Sequence, residues 1–288
     1  MTLLLFAGGW WYWLTHRPAP PEVAGETLFR GIVYQREVRQ SPRSLVIHTV
    51  KIDLRTSGLR FLATPPDFPD KELPLRARTV RQFLEESGAQ LAINADFFYP
   101  FSSNSPWSYY PHPGDPVSTQ GYAASNGVSY GSNGKRWVLP SLAIERDNRA
   151  RIAIIGKDEP PPFTAVGGYP FLLQNGKVTE NAENDEELHP RTAAALDRDA
   201  RWLILLLVDG RQPRYSEGVT MKELADMLRE KGGWNALNFD GGGSVTLAVK
   251  TPSGKIDVLN SPINSRNFPG TERPVANHLA VFAPPTAK

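Results

Sequence analysis

Trp202 to Val208 is the most apolar run in the body of this chain, and it restricts the architecture more than any other stretch. The run is too unbroken for a half-exposed strand and too short for an independent helix, so it reads as a central strand buried on both faces. Such a strand needs packed layers on either side of it. The 288 residues are enough for one large domain with a substantial core, and no Gly/Ser linker divides them. The expected fold is α+β: a single domain with a mixed, curved β-sheet packed by a few helices and an active site at strand ends.

Two helices announce themselves by their ends. Thr220 and Glu223 have capping-box spacing, Val219 and Leu224 form a staple, and Gly232-Gly233 follows Arg229 and Lys231 as a stop. Met221, Leu224, Ala225 and Leu228 share its apolar face. A short apolar segment, Trp234 to Phe239, then delivers Asp240. Thr79 and Gln82 repeat the cap, Val80, Phe83 and Leu84 the face, Gly88 the stop, and Leu91 to Ile93 the strand, which leads into Asn94-Ala95-Asp96. Both units end in Asn-x-Asp, which predicts Asn94, Asp96, Asn238 and Asp240 at one edge of one sheet, unless two common capped helices coincide by chance.

Asp240 opens the run Asp240-Gly241-Gly242-Gly243-Ser244. Three glycines weaken any regular element, so they suit a backbone at positive φ or one that approaches a ligand closely. A tight turn between strands explains them equally well. A third carboxylate, Asp209, ends the Trp202 to Val208 run as Asp209-Gly210-Arg211, where a plain Asp-Gly turn is again the alternative.

These segments, with Gly167-Gly168-Tyr169-Pro170, His189-Pro190-Arg191-Thr192-Ala193 and Arg273-Pro274-Val275-Ala276-Asn277, occur in an order that resembles the phosphodiester glycosidase family over about Asn94 to Phe282. This chain has Ala95-Asp96 where the family often has Gly-Gly, and Ala194-Ala195 where relatives carry Ile or Val and then Gly. The resemblance implies a hydrolase acting on a sugar 1-phosphodiester in envelope, exopolysaccharide or other extracellular glycoconjugates. Asp240 is the first choice for the catalytic carboxylate, Asp209 the second and Asp96 the third. Asn94, Gly168, Arg191, Thr192, Arg211, Asn238, Gly241, Gly242, Gly243, Ser244 and Arg273 are the expected substrate contacts. Arg191 and Arg273 are the phosphate candidates, because a planar guanidinium can grip two phosphate oxygens at once; a structural ion pair is the alternative for each. His189 is expected to be structural.

A phosphate leaving group is a weak base, so such a reaction asks less for a proton than for charge: a carboxylate at the oxocarbenium-like centre and cations on the departing phosphate. No metal is required. The Asp and Asn side chains are oxygen ligands suited to Ca²⁺ or Mg²⁺, but no EF-hand loop or His pair is present. Two other classes fit the residues: a metal-dependent phosphodiesterase that cleaves P–O, and a carbohydrate-binding domain without turnover.

The formal net charge of +2 and the lack of a basic tract give no argument for nucleic acid, and the absence of cysteine removes disulfides and thiol chemistry. Residues 1–26 read as a separate segment. Leu3 to Leu14 is almost wholly apolar, shorter than the ~20 residues that span a bilayer, and a Pro-rich tether runs from Pro18 to Glu26 before a domain over 27–288. A signal-peptide core or truncated anchor implies an extracytoplasmic protein, secreted or membrane-anchored, with membrane association through residues 3–14. A peripheral aromatic anchor on a cytoplasmic protein is the alternative. Strands are expected at Leu28 to Ile32, Ser44 to Leu54 and Leu59 to Ala63, and a long irregular insertion, rich in tyrosine, at Phe101 to Gly134.

Overall fold

The computed structural model describes residues 17–105, 108–131, 139–264 and 268–286, so Leu3 to Leu14 and Trp107 lie outside the described residues. Trp202–Val208 is a central strand, as its composition demands. It lies in an eight-stranded sheet ordered 23–29, 32–39, 45–53, 202–208, 191–196, 235–238, 171–174, 177–178. Leu203, Leu205 and Leu207 point into a core shared with Ile144, Val166 and Leu279, while Ile204, Leu206 and Val208 point into a second core with Leu224 and Leu228. Both faces are therefore covered, each buried leucine contributing about 1.5–3 kcal/mol of apolar burial.

Two five-stranded sheets cover the first face. One is ordered 256–258, 247–250, 91–94, 278–282, 60–63, and the other 128–131, 122–125, 164–167, 140–144, 150–154. Among the described residues there are three α-helices: α1 (Val80–Ser87), α2 (Glu180–Glu183) and α3 (Met221–Glu230). Thr79 and Thr220 form full capping boxes with Gln82 and Glu223, and Gly88 closes α1 in the left-handed conformation. α1 buries Val80, Phe83 and Leu84 against Ala92, Ala248 and Ala280; α3 buries Leu224, Ala225 and Leu228 against the second face of the large sheet.

The expected mixed, curved sheet is corrected in three respects. Among the described residues the protein is mostly β, all strand-to-strand pairings are antiparallel, and no sheet curls strongly. The two helix-then-strand units do not share a sheet: Leu91–Asn94 pairs with 247–250 and 278–282, whereas Asn235–Asn238 pairs with 191–196 and 171–174. Each strand finds its neighbours far away in sequence, which a local cap cannot encode.

Two local readings also change. The described part of Phe101 to Gly134 is not irregular; it holds strands 102–105, 108–110, 116–119, 122–125 and 128–131. Asn126 and Gly127, both at positive φ, form the tight turn of the last hairpin, and Tyr130 is buried. The Pro-rich tether gives its last residues to the strand Val23–Phe29, which pairs with Ile32–Arg39 across a turn at Gly31 where a strand Leu28 to Ile32 was expected.

Candidate active site

Asp240 follows strand 235–238 and is held from both ends. Its N–H donates to Ala95 O (2.8 Å), and its carbonyl accepts the Asn94 Nδ2 amide (2.6 Å). Asn94 Oδ1 in turn accepts from Thr192 Oγ1 (2.9 Å) and Thr246 N (3.1 Å). Asn94 and Thr192 are fully buried. They clamp the sheets together and position Asp240, and neither is placed to touch a substrate.

The Asp240 side chain stays partly exposed while its surroundings are protein. Burial pushes its carboxyl up to about 6, opposed by the charge of Arg273 and by hydrogen bonds from Ser244 and the Gly241 N–H. Arg273 Nη1 donates to Ser244 Oγ (3.1 Å) and Nη2 to Asn264 O (3.2 Å), so Ser244 links the guanidinium to the carboxylate. Ser244 is itself buried.

The glycine run does not form a cradle of free N–H groups. Gly241 N–H serves Asp240, Gly242 N–H donates to Pro190 O (2.8 Å) and Ser244 N–H to Gly241 O (3.2 Å). The glycines are needed for space. Gly242 has φ +59°, with Arg211 Nη1 only 3.3 Å from where a Cβ would sit, and a Cβ on Gly243 would stand 1.8 Å from Asn264 O and 2.4 Å from Arg273 Nη2.

Three arginines converge here. Arg211 lies over Gly242, and its Nη2 donates to His189 Nδ1 (3.0 Å); a guanidinium cannot accept, so the imidazole proton sits on Nε2, facing Glu187 Oε2 (2.8 Å). Arg191 spends Nε on Val219 O (3.2 Å) and Nη2 on Asp185 Oδ1 and Glu187 O (both 2.9 Å), leaving Nη1. Burial lowers the pKa of all three, and Arg211 adds repulsion to both Arg191 and Arg273. Arg273 Nε is buried without a hydrogen-bond partner. An anion is the ligand that relieves such a cluster.

Asp96 ends strand 91–94 on the other side of Asp240. Its Oδ2 accepts Gly121 N (3.0 Å), and the side chain is packed so tightly that a Cβ on Gly121 or Gly167 would lie 2.9 Å or 2.6 Å from that oxygen. Burial, with the charge of Asp240 adding to it, raises its carboxyl well above the ordinary value. Asp96→Asn is therefore expected to melt within a few degrees of the parent at pH 7, since burial already disfavours the charge it removes and the amide oxygen still accepts the Gly121 N–H. Asp96→Ala strands the Gly121 N–H at a cost of about 1–3 kcal/mol. Thermal melts compare them, and equal losses would mean that the carboxylate charge itself, and not the acceptor for Gly121, holds this part of the fold.

Asp209 is not part of this group. Its carboxylate accepts Asn260 Nδ2 (3.0 Å), Ser261 N (3.0 Å) and His48 Nε2 (3.4 Å), and it is 1 % exposed. It organises the turn that carries Arg211, which takes it out of the reacting set. Asn238 is buried too, donating to Tyr169 O (2.6 Å) with Oδ1 unpartnered, and Gly168 lets that strand approach: a Cβ would stand 2.3 Å from Asn238 O. Among the described residues no group of three or more His, Cys, Asp or Glu side chains is placed to hold a metal ion. Asp185, Asn264 and Phe101, whose ring lies 4.7 Å from the Arg273 guanidinium, carry no sequence signal that would have assigned them here.

Comparison with known proteins bears on this arrangement. A profile of the family described as phosphodiester glycosidase matches residues 87–282. N-acetylglucosamine-1-phosphodiester alpha-N-acetylglucosaminidase of Mus musculus is 29% identical over 129 residues, covering 38% of this chain and 24% of the relative. The Bos taurus protein of the same name is 32% identical over 107 residues, covering 32% of this chain and 20% of that one. The chain thus spans a quarter or less of these relatives. Among solved structures, the zebrafish enzyme's catalytic domain, auto-inhibited by its pro-peptide, superposes with a TM-score of 0.61 at 18% identity over 93% of this chain and 85% of its own. A hypothetical protein from Synechocystis gives 0.58 at 17% identity over 92% and 64%, and a putative exported protein from Burkholderia pseudomallei 0.57 at 15% over 85% and 75%. At these identities the structures share the fold.

Proposed function

The chain belongs to the phosphodiester glycosidase family, and from that premise we propose that it is a hydrolase cleaving a sugar 1-phosphodiester on the glycosyl side. The supporting observation is the arginine cluster: Arg191, Arg211 and Arg273 crowd around the Gly241–Ser244 run beside a carboxylate with a raised pKa. The N–H groups of Gly241, Gly242 and Ser244 are engaged within the protein, so the phosphate falls to the free guanidinium edges of Arg191 and Arg211 and to Arg273.

Asp240 faces the anomeric carbon in this reading. As the glycosyl C–O bond breaks, its electron pair leaves with the phosphate oxygen, the arginines take up that charge, and the carboxylate stabilises the oxocarbenium-like centre or activates water. Water supplies the hydroxyl of the released sugar. Asp96, buried, with its carboxyl pushed well above the ordinary value, holds the Gly121 backbone. The substrates are envelope or extracellular glycopolymers or glycoconjugates, in keeping with the apolar Leu3 to Leu14 segment and an extracytoplasmic setting.

The reaction is tested in ¹⁸O water with a panel of sugar 1-phosphodiesters. Label in the sugar is expected. Label in the phosphate means P–O cleavage, and binding without any product means a carbohydrate-binding domain. The pH profile provides a second check. A raised pKa on a group that acts as its anion means that activity is lost as pH falls through that value, so kcat/KM should climb through about 6 as pH rises. A profile flat from pH 5 to 7 (roughly one unit either side of that value) would remove Asp240 as the ionising group.

A further inference from the structure

Arg211 is held in a backbone conformation that its side chain disfavours. It and Arg214 both stand at positive φ (57° and 63°), two left-handed non-glycine residues in the one turn from Asp209 to Ser216. Backbone of that kind persists only where its surroundings over-determine it. The surroundings of this turn include a residue from ahead of the first strand (Val23–Phe29), namely Arg17.

The Arg17 guanidinium lies 3.5 Å from the centre of the Tyr215 ring, its Nη2 donates to Gln212 Oε1 (2.7 Å) and its Nη1 to Ser261 Oγ (3.0 Å). Gln212 is buried and is the residue next to Arg211. Its Oε1 also accepts from Ser261 Oγ (2.9 Å), and its Nε2 donates to Ser261 O (2.9 Å). Ser261 N in turn donates to Asp209 Oδ1 (3.0 Å), at the start of the turn. Arg17 thus closes a ring of contacts around both flanks of Arg211. It supplies the one charged donor to Gln212, and such bonds are roughly twice as strong as neutral ones. The chain between Arg17 and the first strand is pinned as well: Arg36 Nη1 donates to Pro21 O (3.1 Å) and Val38 N to Glu22 Oε1 (3.2 Å). Arg17 therefore reaches the turn from a fixed base.

We propose that Arg17 is a positioning residue of the active site, acting through Gln212 and Tyr215 to keep Arg211 over Gly242. The inference rests on the reading of Arg211 as a phosphate contact. With that reading, the segment ahead of the first strand belongs to the anion site, and without Arg17 the same sheets form around a looser grip on phosphate.

The readout is His189, whose Nδ1 accepts from Arg211 Nη2 (3.0 Å). The full chain is labelled with ¹⁵N, and long-range proton–nitrogen spectra are recorded at about pH 8.5, roughly two units above the ordinary imidazole value. A His189→Gln chain assigns the ring signals, and Arg211→Ala gives the Nδ1 signal of a ring that has lost its donor. Arg17→Ala should move the parental signal most of the way to that position. Arg17→Lys keeps the charge but not the fork that spans both acceptors, so it should move the signal part of the way, and it decides the case if the alanine variant does not fold. Arg201→Ala, which breaks an ion pair with Asp53 at the opposite end of strand 202–208, should leave the signal in place. Inorganic phosphate, titrated by calorimetry, should bind about 10-fold more weakly to Arg17→Ala than to the parent, whereas in the Arg211→Ala background the same substitution should change its affinity less than about twofold. A parental Nδ1 signal in the folded Arg17 variants overturns the proposal. An equal loss of phosphate affinity in the two backgrounds overturns it too, because Arg17 would then act without Arg211. A parent that binds no phosphate counts against the phosphodiester reading, and the Nδ1 signal still decides the role of Arg17.

Discussion

Asp240→Asn is expected to lower kcat by at least about 10²-fold and as much as ~10⁴-fold while the fold survives. The amide keeps the size of the carboxyl and can still accept the hydrogen bonds from Ser244 and Gly241, but it cannot supply charge to the reacting carbon. Stability distinguishes this from unfolding. A carboxyl whose folded pKa is raised adds stability that is fully present below its unfolded value and is lost as pH rises through the folded one. The parent therefore gives up that contribution between about 4 (the ordinary carboxylate range) and about 6. Asp240→Asn does not titrate, so above that window it should melt no lower than the parent, and its advantage should shrink as the solution is acidified. Near-parental kcat in a well-folded variant would end the case for Asp240.

Gly243→Ala should produce the second large effect, on activity and stability together. The added methyl meets a backbone carbonyl, Asn264 O, and the end of Arg273, so either the loop or the arginine has to move. Overpacking of this kind costs about 1–3 kcal/mol. Displacing Arg273 also breaks its bond to Ser244, and a shift of ~1 Å in such a group is enough to lower kcat/KM about 10²-fold. Gly242→Ala is the internal contrast. It pays about 1–2 kcal/mol for left-handed backbone, but its nearest neighbour is the far end of the long Arg211 side chain rather than backbone, so its activity should fall less. Melting curves and kinetics on both variants check this. Equal and small effects would mean that the glycines form an ordinary turn.

The caps at Thr79 and Thr220, the buried strand 202–208 and the delivery of Asp240 and Asp96 at strand ends were legible because each depends on contacts a few residues apart or on a run of one composition. Asn126-Gly127 was equally local, a hairpin signal hidden within a polar, tyrosine-rich stretch that reads as a loop. The partners of each strand were not legible. Leu91–Asn94 meets 247–250 and 278–282, and whether two Asn-x-Asp units share a sheet depends on pairing energies summed over the whole fold.

The same division runs through the site. Sequence alone determined which residue types were on offer: an aspartate at a strand end, a glycine run behind it, and arginines in family order. Tertiary structure decided their surroundings. It enclosed Asp209 with Asn260, Ser261 and His48, turned Asn94 and Thr192 into a buried clamp, spent three of the loop's N–H groups inside the protein, and left the arginines crowded around the glycine run, with Arg273 beside Asp240. The physical reason is desolvation. Whether a carboxyl or a guanidinium is neutralised by the protein or left waiting for a ligand depends on which distant groups and how much water surround it, and those neighbours are assembled only when the sheets pack.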